Sequence, residues 1–531
     1  MAVLRTGRRT LATLGGVVAL LGCAAWTQTA AAPAANVVKT TSGPVAGLTE
    51  GKVVSFRGIP YAQPPVGELR WRPPAPVKAW TTVRQATQFG APCAQASAPG
   101  LNLIGGAAPS EDCLYLNVWK PAGAKAGAKL PVMVWIHGGA YQFGSGALPT
   151  AAAAEFAKDG VILVSLNYRL GRLGQFAHPA LTAESAGGPV ANYALLDIIR
   201  GLHWVQDNVA GFGGDPKRVT LFGISSGGGT INALTVSPMA KGLFQRAIPQ
   251  SSNNFPAWRY LQRPDGAGGP SAEQAGAEWA AGAGASTAAQ LRALPVDVIV
   301  KPPTRLERGG SVYIVDGKVL TERVSDAYAA GRQNRVDYLT GAVSLEGTLI
   351  SMFPLPLDLL LRRFGPAAEQ ARALYLPAGV PEKVATMNLY GDIAFVASTL
   401  NLAQKASAAG QRTYLYHFDY VPEELRGQMP GAAHGGEYPF IFNSFDPATM
   451  PTGSYAPSEA DRAMARTTHA YWVNFAMTGD PNGRGLPAWP AYDAAKDQLL
   501  YFAPPAPAPR AGVLKERMQL TMPIALAGPA S

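Results

Sequence analysis

Residues Leu221–Thr230 read LFGISSGGGT: an apolar run, two adjacent serines, then glycines. The spelling Gly223-Ile224-Ser225-Ser226-Gly227 fits G-x-S-x-G, in which a strand turns sharply into a helix and holds the central serine in a strained conformation. The residues two before and two after the serine must be small, because such a turn is expected to press their α-carbons together. Centred on Ser225, both are glycine. Centred on Ser226 they are Ile224 and Gly228, and isoleucine would clash. Ser225 is therefore the candidate nucleophile. The preceding RVTLFG, Arg218–Gly223, reads as a short buried strand, and GTINALTVS, Gly229–Ser237, can continue as a helix. A phosphate-binding loop is the competing reading, but neither G-x-x-x-x-G-K-[ST] nor G-x-G-x-x-G occurs here.

A serine hydroxyl needs a base to take its proton. Of the histidines, His417 sits in the alternating strand-like TYLYHFDY, and His203 and His469 fall in helical patterns, so packing or surface roles suit all three. His434 lies in GAAHGGEYPF, Gly431–Phe440, where flanking glycines let an imidazole project without backbone bulk. It is the best base. An acid must fix its tautomer and stabilise the imidazolium. DYLTGAVSLEG, Asp337–Gly347, looks like a strand ending in a loop at Glu346. The chain order Ser225, Glu346, His434 is the one that α/β-hydrolases use, although a glutamate in a turn is ordinary in itself. PVMVWIHGGAYQFGSG, Pro131–Gly146, runs from a strand into HGGA, whose glycines let backbone N–H groups approach a developing oxyanion. His137 belongs to that loop's structure rather than to proton transfer. The strand-like VILVSLNYRL, Val161–Leu170, completes an alternation expected of a largely parallel sheet.

The 531 residues, 47% of them hydrophobic, suffice for one large elaborated domain, and no fixed-period repeat or long linker interrupts them. Arg5, Arg8 and Arg9 precede the apolar run Leu11–Leu21 and a stretch of small residues, which reads as an export signal over residues 1–31 and not a membrane anchor. The Arg8-Arg9 pair permits twin-arginine export, and Leu20–Cys23, LLGC, loosely resembles a lipid-attachment box. Cleavage without lipid is the favoured reading, giving a periplasmic or extracellular protein. With Cys23 in the leader, Cys93 and Cys113 remain as an even pair. An oxidising compartment would join them, for about 3 kcal/mol of loop-closure stabilisation; two buried thiols are the alternative. Losing the leader's three arginines from a formal +10 leaves +7, scattered and without an aromatic stripe. That argues against nucleic-acid binding and leaves a mild attraction for anions.

Ordered stretches along the chain resemble the type-B carboxylesterases, the family of bacterial nitrobenzyl-type esterases, animal carboxylesterases and cholinesterases. They are FRGIPYAQPPVGELRW, EDCLYLNVWKP, WIHGGAYQFGSG, NYRLGRLGQF, WVQDNVAGFGGDPKRVTLFG, GLFQRAIPQS and NFAMTGDPN, between about Val37 and Tyr492. The resemblance implies an α/β-hydrolase fold over residues 37–525, a large, mostly parallel sheet flanked by helices, with insertions forming a substrate gorge. It implies a Ser225–Glu346–His434 triad, oxyanion donors at the N–H groups of Gly139, Ala140 and Ser226, and a Cys93–Cys113 disulfide. Neither metal nor organic cofactor is required. One departure stands out: where the family commonly has glutamate before the nucleophile, this chain has Ile224. That removes a negative charge beside the reacting centre, with Glu437 expected to remain nearby, so choline-like esters are disfavoured and neutral or anionic small-molecule esters favoured. The competing readings are a silent adhesion module of the same fold, a lipase, and an amidase or carbamate hydrolase. The gorge is expected to draw on the Cys93–Cys113 loop, the stretch Phe255–Arg308 and a helix-like run Phe353–Phe364.

Overall fold

The computed structural model describes residues 36–96, 108–147, 150–252, 258–264, 269–301, 313–352, 355–447 and 454–527. The expected export signal with Cys23, and parts of the three segments expected to line a gorge, lie outside the described residues. The strands are β1 (Asn36–Lys39), β2 (Pro44–Glu50), β3 (Val53–Pro60), β4 (Arg84–Gln85), β5 (Tyr115–Pro121), β6 (Leu130–Ile136), β7 (Ile162–Leu166), β8 (Gly214–Ile224), β9 (Arg246–Gln250), β10 (Asp337–Val343), β11 (Thr413–Phe418), β12 (Gln498–Phe502) and β13 (Ala508–Ala511). They form a 13-stranded sheet in the order β1-β2-β3-β5-β7-β6-β8-β9-β10-β11-β12-β13, with β4 on β2.

From β7 across to β12 every neighbouring pair is parallel. The flanks β1-β2-β3-β5-β7 and β12-β13 are antiparallel. Such a sheet must be covered on both faces, so its central strands carry apolar residues on both sides. Strand β6 shows this: Val132, Val134 and Ile136 pack with Leu195 and Leu202 of the helix Tyr193–Asn208. Its Met133 and Trp135 pack with Trp472 and Phe475 of the helix Glu459–Thr478. The result is a helix–sheet–helix sandwich, the α/β-hydrolase fold.

Strand order positions the site. After β6 the chain turns towards β7, and after β8 towards β9, so the direction of connection reverses between β6 and β8. Ligand sites of open α/β sheets lie outside the strand C-termini at such a reversal. The HGGA loop follows β6 and Ser225 follows β8. Cys93 and Cys113 are bonded, with α-carbons 4.8 Å apart. Among the described residues of the run 353–364, Leu357–Leu361 is α-helical and passes into a 3-10 segment, Arg362–Ala367, with Gly365 at φ 51°. Pro366 supplies no N–H and disfavours helical geometry at the residue before it, so the helical path kinks at Gly365, just past the end of that run.

Candidate active site

Ser225 stands between β8 and the helix Ser226–Val236 at φ 59°, ψ −125°. Side chains with a Cβ rarely adopt that region, and neighbours hold it there. Its N–H donates to the Gln250 carbonyl at the end of β9 (2.9 Å), and its carbonyl accepts from the Gly229 N–H (2.9 Å). The flanking glycines crowd each other, a Cβ on Gly223 lying 3.3 Å from the Gly227 carbonyl carbon, but the adjoining strand restricts them more. A Cβ on Gly223 would lie 2.3 Å, and one on Gly227 2.2 Å, from the Ile136 carbonyl oxygen of β6. The adjoining strand excludes the side chains.

The HGGA loop lies against the turn: a Cβ on Gly138 would sit 2.7 Å from the Ile224 carbonyl oxygen and 3.4 Å from Ser225 Cβ. Gly139, Ala140 and Tyr141 all take positive φ, at 120°, 53° and 62°. The Gly139 carbonyl is occupied by the N–H groups of Gln142 and Phe143, both at 2.9 Å. Among the described residues the Gly139 and Ala140 N–H groups donate to no backbone carbonyl. The Ser226 N–H belongs to a first helical turn, whose donors have no intrahelical acceptor. His137 fixes this loop: it stacks on Tyr168 at 4.3 Å, and its carbonyl accepts from the Tyr168 hydroxyl at 2.6 Å. Burial pulls its pKa down to about 4, so the ring is neutral.

Glu346 and His434 come together 88 positions apart in sequence: His434 Nδ1 bonds Glu346 Oε2. The other carboxylate oxygen, Oε1, accepts from the Val343 N–H at 2.9 Å. Their loops are stitched by Leu345 N–H to the Ala432 carbonyl (2.9 Å) and Ala432 N–H to Ser344 Oγ (2.9 Å). His434 N–H donates to Thr348 Oγ1 at 3.0 Å. Burial disfavours the imidazolium, but the Glu346 charge and hydrogen bond, with a contribution from Glu437, more than offset it, and the His434 pKa is raised. Among the described residues Nε2 is buried without a protein partner. No hydrogen bond joins it to Ser225 among the described contacts.

The sequence model of the carboxylesterase family matches residues 34–358 and 378–520. The chain belongs to the carboxylesterase family. A similar curated relative is the fumonisin B1 esterase of Sphingopyxis macrogoltabida, 36% identical over 468 residues, 86% of this chain and 84% of that one. Carboxylesterase 1C of Rattus norvegicus is 32% identical over 518 residues, 90% of this chain and 91% of that one. Among solved structures, a Geobacillus stearothermophilus carboxylesterase superposes with a TM-score of 0.76 at 32% identity, over 91% of this chain and 99% of that one. A PNB esterase does so with 0.74 at 31%, with the same coverage. The protein is a carboxylic ester hydrolase.

Around this carboxylesterase's site lie residues whose contacts local sequence did not reveal. Ser251, in the quoted GLFQRAIPQS, adjoins Gln250 and donates through Oγ to Glu437 Oε1 at 3.3 Å. It thereby links the strand end that holds Ser225 to the loop that carries His434. Glu437 is fully buried, and burial, then the Glu346 charge, push its pKa from 4.5 to about 7. Phe395 places its ring 4.8 Å from the His434 ring. Ile224 is 9% exposed and packs into the core that includes Phe222 and Trp135. His417 and His469 are buried, and His203 is exposed on its helix.

Proposed function

We propose that this carboxylesterase is an exported serine esterase in which Ser225, His434 and Glu346 form the triad and neutral or carboxylate-bearing esters are the substrates. The Glu346–His434 hydrogen bond carries the reading. It commits Nδ1 and leaves Nε2 as the nitrogen able to take a proton, while Ser225 is the serine that the turn holds in a strained conformation. Ser225 Oγ attacks the ester carbonyl carbon while His434 Nε2 removes its proton, and the carbonyl π electrons move to the oxygen. The N–H groups of Gly139, Ala140 and Ser226 stabilise that oxyanion, each worth about 10²–10³-fold in kcat. The tetrahedral intermediate collapses, and the alcohol leaves with the proton from His434. Water then repeats the sequence on the acyl-enzyme, and the acid departs. Throughout, Glu346 holds the tautomer and stabilises the imidazolium.

The substrate preference rests on Ile224, which places no carboxylate beside the reacting carbon, and on the mature chain's formal +7. Export is supported by the arginine-led apolar leader and by the Cys93–Cys113 bond. A fluorophosphonate probe tests the nucleophile. Ser225→Ala is expected to abolish labelling and lower kcat by about 10³-fold or more. Ser226→Ala should keep both, because its backbone N–H survives. Labelling that persists in Ser225→Ala and disappears in Ser226→Ala would reverse the assignment.

A further inference from the structure

The helix Glu382–Gly391 does not run smoothly into the helix Ala397–Ala408; between them Asp392–Val396 makes a π-helical turn. A π turn carries an extra residue at some loss of hydrogen-bond quality, and such turns occur often at functional sites. This one faces the Glu346–His434 pair at two points. A Cβ on Gly391 would sit 2.9 Å from both Glu346 Cβ and the Gly347 nitrogen, so backbone is pressed against the acid. Three residues past Asp392, Phe395 is buried and lays its ring on the imidazole.

The turn is held from outside the site. Asp392 is 1% exposed, and Arg517, on the helix Lys515–Leu526, grips it with Nε to Oδ2 at 2.6 Å and Nη2 to Oδ1 at 2.7 Å. The Tyr375 hydroxyl donates to the same Oδ2. On the inner side, Ser398 Oγ donates to the Ser252 carbonyl at 2.7 Å, next to Ser251 and the end of β9. A buried ion pair is weak evidence for stability, since well-packed apolar residues often serve as well; its bidentate geometry fixes position and direction. Proton transfer needs that fixity, because displacement of about 1 Å can lower the rate about 10²-fold.

We propose that Arg517, Asp392 and Tyr375 are positioning residues for catalysis, holding the π-helical turn so that Phe395 seats the His434 imidazole and Gly391 backs Glu346. The inference rests on the triad assigned above. Its test uses the full chain, 4-nitrophenyl butyrate as substrate, and the variants Arg517→Met, Phe395→Leu and their combination. Each single change is expected to lower kcat about 10-fold with KM within about twofold, and the double to be no worse than the poorer single. The downfield proton resonance of His434 Nδ1–H, bound to Glu346, should broaden or vanish in Arg517→Met and return in Arg517→Lys. If Arg517→Met does not fold, Tyr375→Phe carries the same readouts with a smaller loss of kcat. Losses that multiply in the double variant, or folded Arg517→Met protein with unchanged kcat and an unchanged downfield resonance, would overturn the proposal. A wild-type protein without ester turnover, whose resonance still depends on Arg517, would refute the catalytic reading and leave the positioning intact.

Discussion

Glu437 holds a carboxyl group out of water three positions past the imidazole, and its titration reaches both stability and rate. Its pKa rises from 4.5 to about 7 on folding, through burial first and the Glu346 charge second. Between those values the native state holds a proton that the unfolded chain has released, so this group's contribution to stability falls as pH rises across the window. The full change is on the order of 3 kcal/mol. Glu437→Gln should flatten the fall, seen as urea midpoints that differ less between about pH 5 and about pH 8 than in the wild type. The ionised carboxylate also helps to raise His434, so the same change should move the acid limb of kcat/KM to lower pH. An unmoved limb with an unchanged stability slope would refute both. The turn at Ser225 and the loops that bring Glu346 to His434 were legible in the sequence because each sits among glycines at the end of an apolar run. Ser251 was not, because its partner lies 186 positions away and its own surroundings read as the end of a strand. The glycines at 223 and 227 were identified correctly but for an incomplete reason, since the obstructing atom belongs to β6, which is distant in sequence.

Secondary-structure elements separate function from support in the same way. The helix Glu459–Thr478 begins with a capping box: Ser458 Oγ accepts from Asp461 N–H at 3.2 Å, and Ser458 N–H donates to Asp461 Oδ2 at 2.8 Å. Asp461 Oδ1 also accepts from the Tyr420 hydroxyl at 2.8 Å, on the chain that leads from β11 towards His434. Ser458→Ala should lower the unfolding free energy by about 1 kcal/mol while kcat stays at the wild-type value, because Asp461 retains its bond to Tyr420. A fall in kcat at full folding would place this cap within the site's support. The central strands were legible because parallel strands covered on both faces write continuous apolar runs. The π turn was not: GDIAFV carries no proline and looks like uninterrupted helix, and only the packing of Phe395 on His434 and of Arg517 on Asp392 shows that the register changes.

At the scale of the whole molecule, the scattered positive charge acts over distance and the turn acts locally, and salt separates them. With matched acyl groups, neutral or carboxylate-bearing esters should exceed choline esters in kcat/KM. The part due to surface charge should fade as the screening length shrinks from about 10 Å at 0.1 M salt to about 3 Å at 1 M. Preference for the choline ester at both ionic strengths would refute the electrostatic reading of Ile224. The left-handed backbone of Ser225 has a further consequence, for the protein's resistance to denaturation. A residue with a Cβ in that region carries about 1–3 kcal/mol of strain, whereas glycine adopts it freely and loses about 0.5–1 kcal/mol in chain entropy. Ser225→Gly, silent towards esters, should therefore unfold at higher urea than either the wild type or Ser225→Ala. The proposed nucleophile is then one of the residues against which the fold is least relaxed. Variants selected only for thermal endurance would be expected to drift towards glycine there, losing activity as they gain robustness.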